Sequence, residues 1–191
     1  MRRGAKQATP QLRVIGGQWR GRKLQFPDRP GLRPTGDRIR ETLFNWLGPH
    51  LHNANCLDLF AGSGALGIEA LSRGAAHCDF VDADREAITS VDHHLNTLNA
   101  TECSTVSCDI AAHYLRQTHD TWDIVFVDPP FDARLGESTL TLLANTDRLA
   151  EASRVYFETS RSQPEPVPEG LYDILREKTT GDVCYRLLSP R

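Results

Sequence analysis

The sequence predicts an α/β domain, a mostly parallel sheet between layers of helices, on three observations. From residue 50 onward, short apolar strand-like runs alternate with helical stretches, and strand-then-helix repeated means a parallel sheet covered on both faces. CLDLFAGSGALGIEAL (56–71) is a strand, a glycine turn and a helix in immediate succession. LYDILREK and DVCYRLL meet at Thr179–Asp182, a spacing that demands a hairpin, so the sheet should end with an antiparallel strand.

The elements follow in order. Residues 1–10 read as a disordered basic tail. Leu12–Gly17 and Lys23–Phe26 flank the QWRGR turn (18–22) like a short hairpin. DRIRETLFNWL (37–47) places Ile39, Leu43, Trp46 and Leu47 at helical spacing, with Asp37 as N-cap or first-turn acid, and Gly48-Pro49 ends this segment. Residues 11–49 thus form a hairpin-and-helix extension, and 50–191 the main domain. Strands are expected at NCLDLF, HCDFVDA, CSTVSC, WDIVFVD and SRVYFET, besides the closing pair. Helices are expected over 65–73, 85–98 (Ile88, Val91, Leu95 and Leu98 in phase), 110–117 and 134–145. SQPEPVPEG (162–170) is a Pro-rich surface loop. His93-His94 share one helix without the i, i+4 spacing of metal ligands and read as solvated surface, and no metal is expected.

At 191 residues the chain fits one domain with a short appendage. It has no run of eighteen apolar residues for a membrane span, and no apolar segment behind MRRGAKQATPQLR for a secretory signal. Five cysteines, an odd number without any C-x-x-C, fit reduced structural thiols in a cytoplasmic protein. The net charge of −3 hides an asymmetry: residues 1–40 carry a net +9 and the rest −12. A cationic arm on an anionic body suits binding to a polyanion.

Gly62, Gly64 and Gly67 satisfy G-x-G-x-x-G between strand and helix. Gly62 permits the tight turn, Gly64 lets a ligand approach the backbone, and Gly67 allows close packing of helix on sheet, while the helix start offers free N–H groups. About twenty residues on, Asp82 and Asp84 end the second strand, placed to bind a ribose diol. The choice between a dinucleotide and S-adenosylmethionine rests on two features. Some fifty residues precede the unit, whereas a nicotinamide-binding fold usually begins with it. Asp58, just before the turn, suits an ammonium or sulfonium better than a pyrophosphate.

VFVDPPF (125–131) drives a buried strand into an acid, two prolines and a ring. Proline cannot donate to a ladder, so the strand stops at Asp128, on the carboxyl edge where open α/β sheets bind ligands. The arrangement suits methylation of an exocyclic amine. The Asp128 carboxylate and Pro129 carbonyl accept its N–H bonds and free its delocalised lone pair, Pro130 holds those acceptors rigid, and Phe131 offers a ring for the base.

RVIGGQWRGRKL, GLRPTGDRIRETLFNWL, LDLFAGSGALGIEALSRGA and VFVDPPF resemble, in order and spacing, the segments of the bacterial RsmD-type family. The resemblance implies a Rossmann-like class I methyltransferase with a seven-stranded, mostly parallel sheet, an antiparallel last strand and an N-terminal hairpin extension. It implies methylation of guanine N2 in 16S rRNA of the assembled small subunit, with S-adenosylhomocysteine as product; a monomer is expected. It places Asp58 and the backbone of Ala61, Gly62, Ser63 and Gly64 at the methionine end, Asp82 at the ribose, and Cys108 and Asp109 at the adenine amino group. Arg33, Thr35 and Arg38 would bridge the N-terminal segment to the site, Thr35 bordering the cofactor and Arg40 joining the two arginines at its mouth. The family usually has a hydroxyl residue where this chain has Gly36. Arg20, Arg22 and Lys23 are expected to contact phosphates. Trp19 either stacks on RNA or staples the hairpin to the domain. An adenine-N6 DNA methylase shares these motifs, but usually carries a recognition domain for which there is no room; a protein glutamine methylase more often has Asn at position 128.

Overall fold

The computed structural model describes residues 11–26 and 35–191, so the expected tail and Arg33 lie outside the described residues. β1 (Gln11–Arg13) and β2 (Lys23–Gln25) form the antiparallel hairpin, with Leu12 opposite Leu24, and α1 (Asp37–Leu51) follows. Four strand–helix units and a fifth strand come next: β3 (Asn55–Asp58), α2 (Ala65–Ser72), β4 (His77–Asp82), α3 (Arg85–Thr97), β5 (Ser104–Cys108), α4 (Ala111–Gln117), β6 (Trp122–Val127), α5 (Gly136–Ala144) and β7 (Leu149–Ser160). β8 (Tyr172–Thr180) and β9 (Val183–Pro190) close the chain as a hairpin.

The seven strands run β5-β4-β3-β6-β7-β9-β8. β3 pairs in parallel with both β4 and β6, so the chain winds outward in opposite directions on its two sides, and ligands bind at the carboxyl edge of such a switch point. The antiparallel strand is β9, as expected, but it lies inside the sheet, between β7 and the edge strand β8. Composition explains the inversion. Cys184, Tyr185, Leu187 and Leu188 are buried on both faces of β9, whereas Asp173, Arg176, Glu177 and Lys178 keep β8 exposed, as an edge tolerates.

Alternating side chains build two cores. Cys56, Phe80, Phe126 and Tyr156 pack with Leu43, Leu47, Ile68, Val91 and Leu95 of α1, α2 and α3; Leu57, Val81, Val125 and Phe157 pack with Leu115, Leu140 and Leu143 of α4 and α5. Asp37 is the first-turn acid and Gly36 the N-cap. α1 continues through Pro49 to Leu51, two residues past the expected stop, because burying Leu51 beneath its last turn outweighs the one amide bond that proline forfeits.

The hairpin is bolted to α2. Gln18 donates its amide to the Ser72 carbonyl (2.7 Å), Trp19 donates its own to Ser72 Oγ (3.0 Å), and that hydroxyl donates to the Gly16 carbonyl (2.6 Å). Gly17 has φ +73°, and a Cβ there would lie 1.7 Å from the Ser72 oxygen, so glycine is required. Leu12, Val14, Leu24 and Phe26 join the first core. His94 corrects the solvated-surface expectation: it is buried beneath the hairpin, with Nε2 2.8 Å from the Gln25 carbonyl, and burial pulls its pKa down.

Candidate active site

The site gathers at the carboxyl ends of β3, β4, β5 and β6. β3 stops because the chain turns sharply through Ala61–Gly64. Gly64 N donates to the Ala61 carbonyl (2.7 Å), Ala61 N donates to the Val81 carbonyl (2.9 Å), and Gly62 and Gly64 take φ of +50° and +77°. Gly64 is the N-cap of α2. A Cβ on Gly67 would lie 2.3 Å from the Phe80 ring, so this third glycine sets how closely α2 approaches β4. Ser63 is buried within the turn.

Two carboxylates brace that turn. Asp58 Oδ2 accepts from Gly67 N at 2.9 Å, and Asp82 accepts from Gly62 N through Oδ2 and from Asp84 N through Oδ1, both at 2.8 Å. Asp84 instead caps α3, accepting from Glu86 N at 2.9 Å. Asp58 is fully enclosed; desolvation pushes its pKa up to about 8, the Gly67 amide opposes that, and Asp128 and Asp82 add repulsion. At the end of β5, Cys108 is exposed, and Asp109 accepts from Ile110 N (2.8 Å) and pairs with His113 Nδ1 (2.6 Å), which holds its carboxyl below the ordinary range.

Asp128 follows β6 directly, and buried Pro129 and exposed Pro130 turn the chain into the short 3-10 helix Phe131–Ala133, with Phe131 half-buried. Thr35 donates its hydroxyl to Asp128 Oδ2 at 3.1 Å. Desolvation pushes the Asp128 pKa up to about 6, and the Thr35 hydrogen bond opposes that rise by favouring the ionised form. Thr35 therefore bridges the N-terminal segment to the acid itself.

The basic residues divide. Arg20, Arg22, Lys23 and Arg38 are exposed, and Arg22 reaches the Thr97 carbonyl at 3.4 Å. Arg40 is not at the mouth of the site. It is 1% exposed, and its guanidinium donates to the Thr35 carbonyl (3.0 Å), the Arg13 carbonyl (2.8 Å), Asp37 Oδ1 (2.6 Å) and Glu69 Oε2 (3.2 Å). Glu69, fully buried on α2, also accepts from Ile15 N and Arg73 Nε. A guanidinium so enclosed has no donor for a phosphate; it ties the hairpin, α1 and α2 together. Trp19 is half-buried against the first core, and its backbone amide is held by Ser72 Oγ.

Two residues that sequence reasoning passed over stand beside Asp128. Glu158 on β7 is 5% exposed and accepts a hydrogen bond from Tyr156 Oη (2.5 Å). The signal was an acid inside VYFETS, near the carboxyl end of an otherwise apolar strand. Among the described residues, no cluster of His, Cys, Asp and Glu has the makings of a metal site, and no helix is long and apolar enough to cross a membrane.

A glycine turn at a switch point, an acid ending the next strand and a Pro-Pro strand end beside it define a Rossmann-like methyltransferase fold. The comparisons narrow this. The family model described as conserved hypothetical protein 95 matches residues 12–189. Ribosomal RNA small subunit methyltransferase D of Escherichia coli strain K12 is 46% identical over 187 residues, 98% of this chain and 94% of that one. Among solved structures, a putative methyltransferase from Escherichia coli superposes with TM-score 0.87 at 45% identity, covering 95% of this chain and 98% of that one. A putative SAM-dependent methyltransferase from Streptococcus mutans shares the fold at 14% identity, with TM-score 0.73 over 96% of this chain and 56% of its own. The chain belongs to the RsmD-type methyltransferase family.

Proposed function

We propose that this chain transfers a methyl group from S-adenosylmethionine to the exocyclic N2 of one guanine in 16S rRNA, acting on the assembled small subunit as a cytoplasmic monomer. The observation that carries the reading is Asp128: a carboxyl group at the end of β6, next to the glycine turn and held by Thr35 from the N-terminal segment. The name of the Escherichia coli relative supports ribosomal RNA as the substrate class, and the exposed Arg20, Arg22 and Lys23 support a polyanion on the hairpin side.

The residues fit the cofactor. Gly64 and Gly67 lie where any Cβ would collide with Ile68 or Phe80, so the turn and the start of α2 keep the close backbone path over β4 that sets the cofactor loop. Asp58 suits the cationic methionine end and Asp82 the ribose diol, while the cap on α3 gives Asp84 a structural task. Cys108 and Asp109 border the adenine, and exposed Ile110 offers its ring an apolar contact. S-adenosylmethionine, when bound, supplies an electrophilic methyl group and leaves as S-adenosylhomocysteine.

The protein's part is orientation and charge. Asp128 and the Pro129 carbonyl accept the two N–H bonds of the target amine, drawing its lone pair out of conjugation toward the methyl. As the N–C bond forms, the same carboxylate stabilises the positive charge on nitrogen, and the proton leaves only after that charge exists, so no strong base is required. Phe131 stacks on the base.

The test is purified protein incubated with methyl-labelled S-adenosylmethionine and either small subunits or naked rRNA from cells lacking it. Label in N2-methylguanosine, with the particles preferred, is expected. Label in adenosine, or none in rRNA, would refute the reading.

A further inference from the structure

Glu158 has no part in cofactor binding or in holding the target amine, yet it is the less ordinary of the two acids at this strand edge. β6 and β7 run parallel with Val127 opposite Phe157, so the next step of the register sets Asp128 level with Glu158. Adjacent strands lie about 4.8 Å apart. Both side chains leave the same face of the sheet, since Phe126 and Tyr156, two residues earlier on each strand, both enter the first core. Glu158 is almost fully buried, and among the described residues no Lys, Arg or His pairs with it. Its recorded neighbour is the Tyr156 hydroxyl, which donates to Oε2.

A buried acid without a cation is costly in the folded protein. Desolvation drives the Glu158 pKa well up and Asp128 adds to it, with only the Tyr156 bond opposing. A core position that only had to pack would be filled better by an apolar residue. A carboxyl group kept there and pushed toward its neutral form, level with the acid that meets the substrate, calls for a ligand whose N–H donors draw it back to the ionised, accepting form.

We propose that Glu158 reads the Watson–Crick edge of the target base, accepting the N1–H of guanine while Asp128 engages the neighbouring N2 amine. The inference rests on the guanine-N2 reading and deepens it. Guanine presents N1–H and N2–H2 side by side, a row of donors that two level carboxyl groups match. Adenine presents a bare N1 acceptor beside its amine, and would set a lone pair against the Glu158 acceptor. Tyr156 is a positioning residue: its hydroxyl occupies Oε2 and leaves Oε1 to face the base.

2-Aminopurine keeps the amine to be methylated but has neither the hydrogen on N1 nor O6, so the Glu158 variant is needed to single out the N1 contact. Small subunits reconstituted with guanine or 2-aminopurine at the methylated position are compared by kcat/KM for the wild type and Glu158→Gln, with melting temperature and S-adenosylmethionine affinity measured alongside. The wild type should prefer guanine by about tenfold or more. In Glu158→Gln the preference should collapse toward one, because the amide can present either an acceptor or a donor to N1, while cofactor affinity stays put. The interaction between the protein change and the base change, not either alone, measures the contact. A wild type indifferent to the two bases, or a folded variant that keeps the full preference, would overturn the assignment. A wild type that leaves the guanine particles unmethylated would bring down the guanine reading and Glu158 with it.

Discussion

Thr35 and Asp128 lie ninety-three residues apart in sequence and 3.1 Å apart in space, hydroxyl to carboxylate. The segment leading from the hairpin into α1 thus touches the acid that ends β6, and anything that moves the hairpin acts on that acid's environment.

Because the hydrogen bond stabilises the ionised form, Thr35→Val should raise the Asp128 pKa above its value of about 6. A carboxyl group is protonated below its pKa, so wild-type kcat/KM should fall as pH drops through about 6. In the variant the same fall should begin at higher pH, with cofactor affinity unchanged. A pH–rate profile on small subunits decides it; superimposable acid limbs would show that Thr35 does not tune Asp128.

Asp58, with a pKa of about 8, is largely protonated at neutral pH before any ligand arrives. A cationic methionine end favours the ionised form, so cofactor binding should expel a proton below pH 8 and tighten as pH rises from 6 to 8. Calorimetry at pH 7 in buffers of different ionisation heat should give different apparent enthalpies. Identical heats would mean that Asp58 does not change protonation.

Arg40 and Glu69 are buried partners, and removing Arg40 leaves the fully buried Glu69 with Arg73 as its remaining recorded cation and frees the Thr35 and Arg13 carbonyls that Arg40 holds. Arg40→Met should therefore destabilise the fold by about 3–5 kcal/mol in urea titration. The salt dependence of RNA binding by the variant, measured where it remains folded, should match the wild type. A flattened slope would return Arg40 to the RNA interface.

The hairpin's own charges make the opposite prediction. Replacing Arg20, Arg22 and Lys23 together should lower the log–log salt slope of RNA binding by roughly 0.7–0.9 for each lost phosphate contact. Target and non-target RNA should weaken alike, since phosphates fix position but not sequence. An unchanged slope on small subunits would move the RNA handle elsewhere, to Arg38 among the described cations.

Much of this was legible in the chain because it is written locally. Short apolar runs, the glycine turn and the Pro-Pro stop each mark structure within a few residues, and they located β3, α2 and the end of β6. What escaped depends on partners far along the chain. Arg40 looked like one more member of a basic cluster, and its burial follows from Glu69, twenty-nine residues on, and from backbone carbonyls that no pattern announces. His94 was hidden by a hairpin sixty-nine residues upstream. The inward place of β9 follows from a competition between two strands for the sheet, which their compositions decide only when compared. Glu158 acquires meaning only from the register that sets it beside Asp128.

The central claim, that Asp128 directs methyl transfer to guanine N2 in small-subunit rRNA, is tested most directly by mass mapping of methylated nucleosides in that rRNA. The cells compared lack the protein, or carry it restored as wild type or as Asp128→Ala. One N2-methylguanosine should vanish without the protein, return with the wild type and stay absent with Asp128→Ala, even though the purified variant still binds S-adenosylmethionine. Restoration of the mark by Asp128→Ala, or loss of a methyladenosine in its place, would contradict the account.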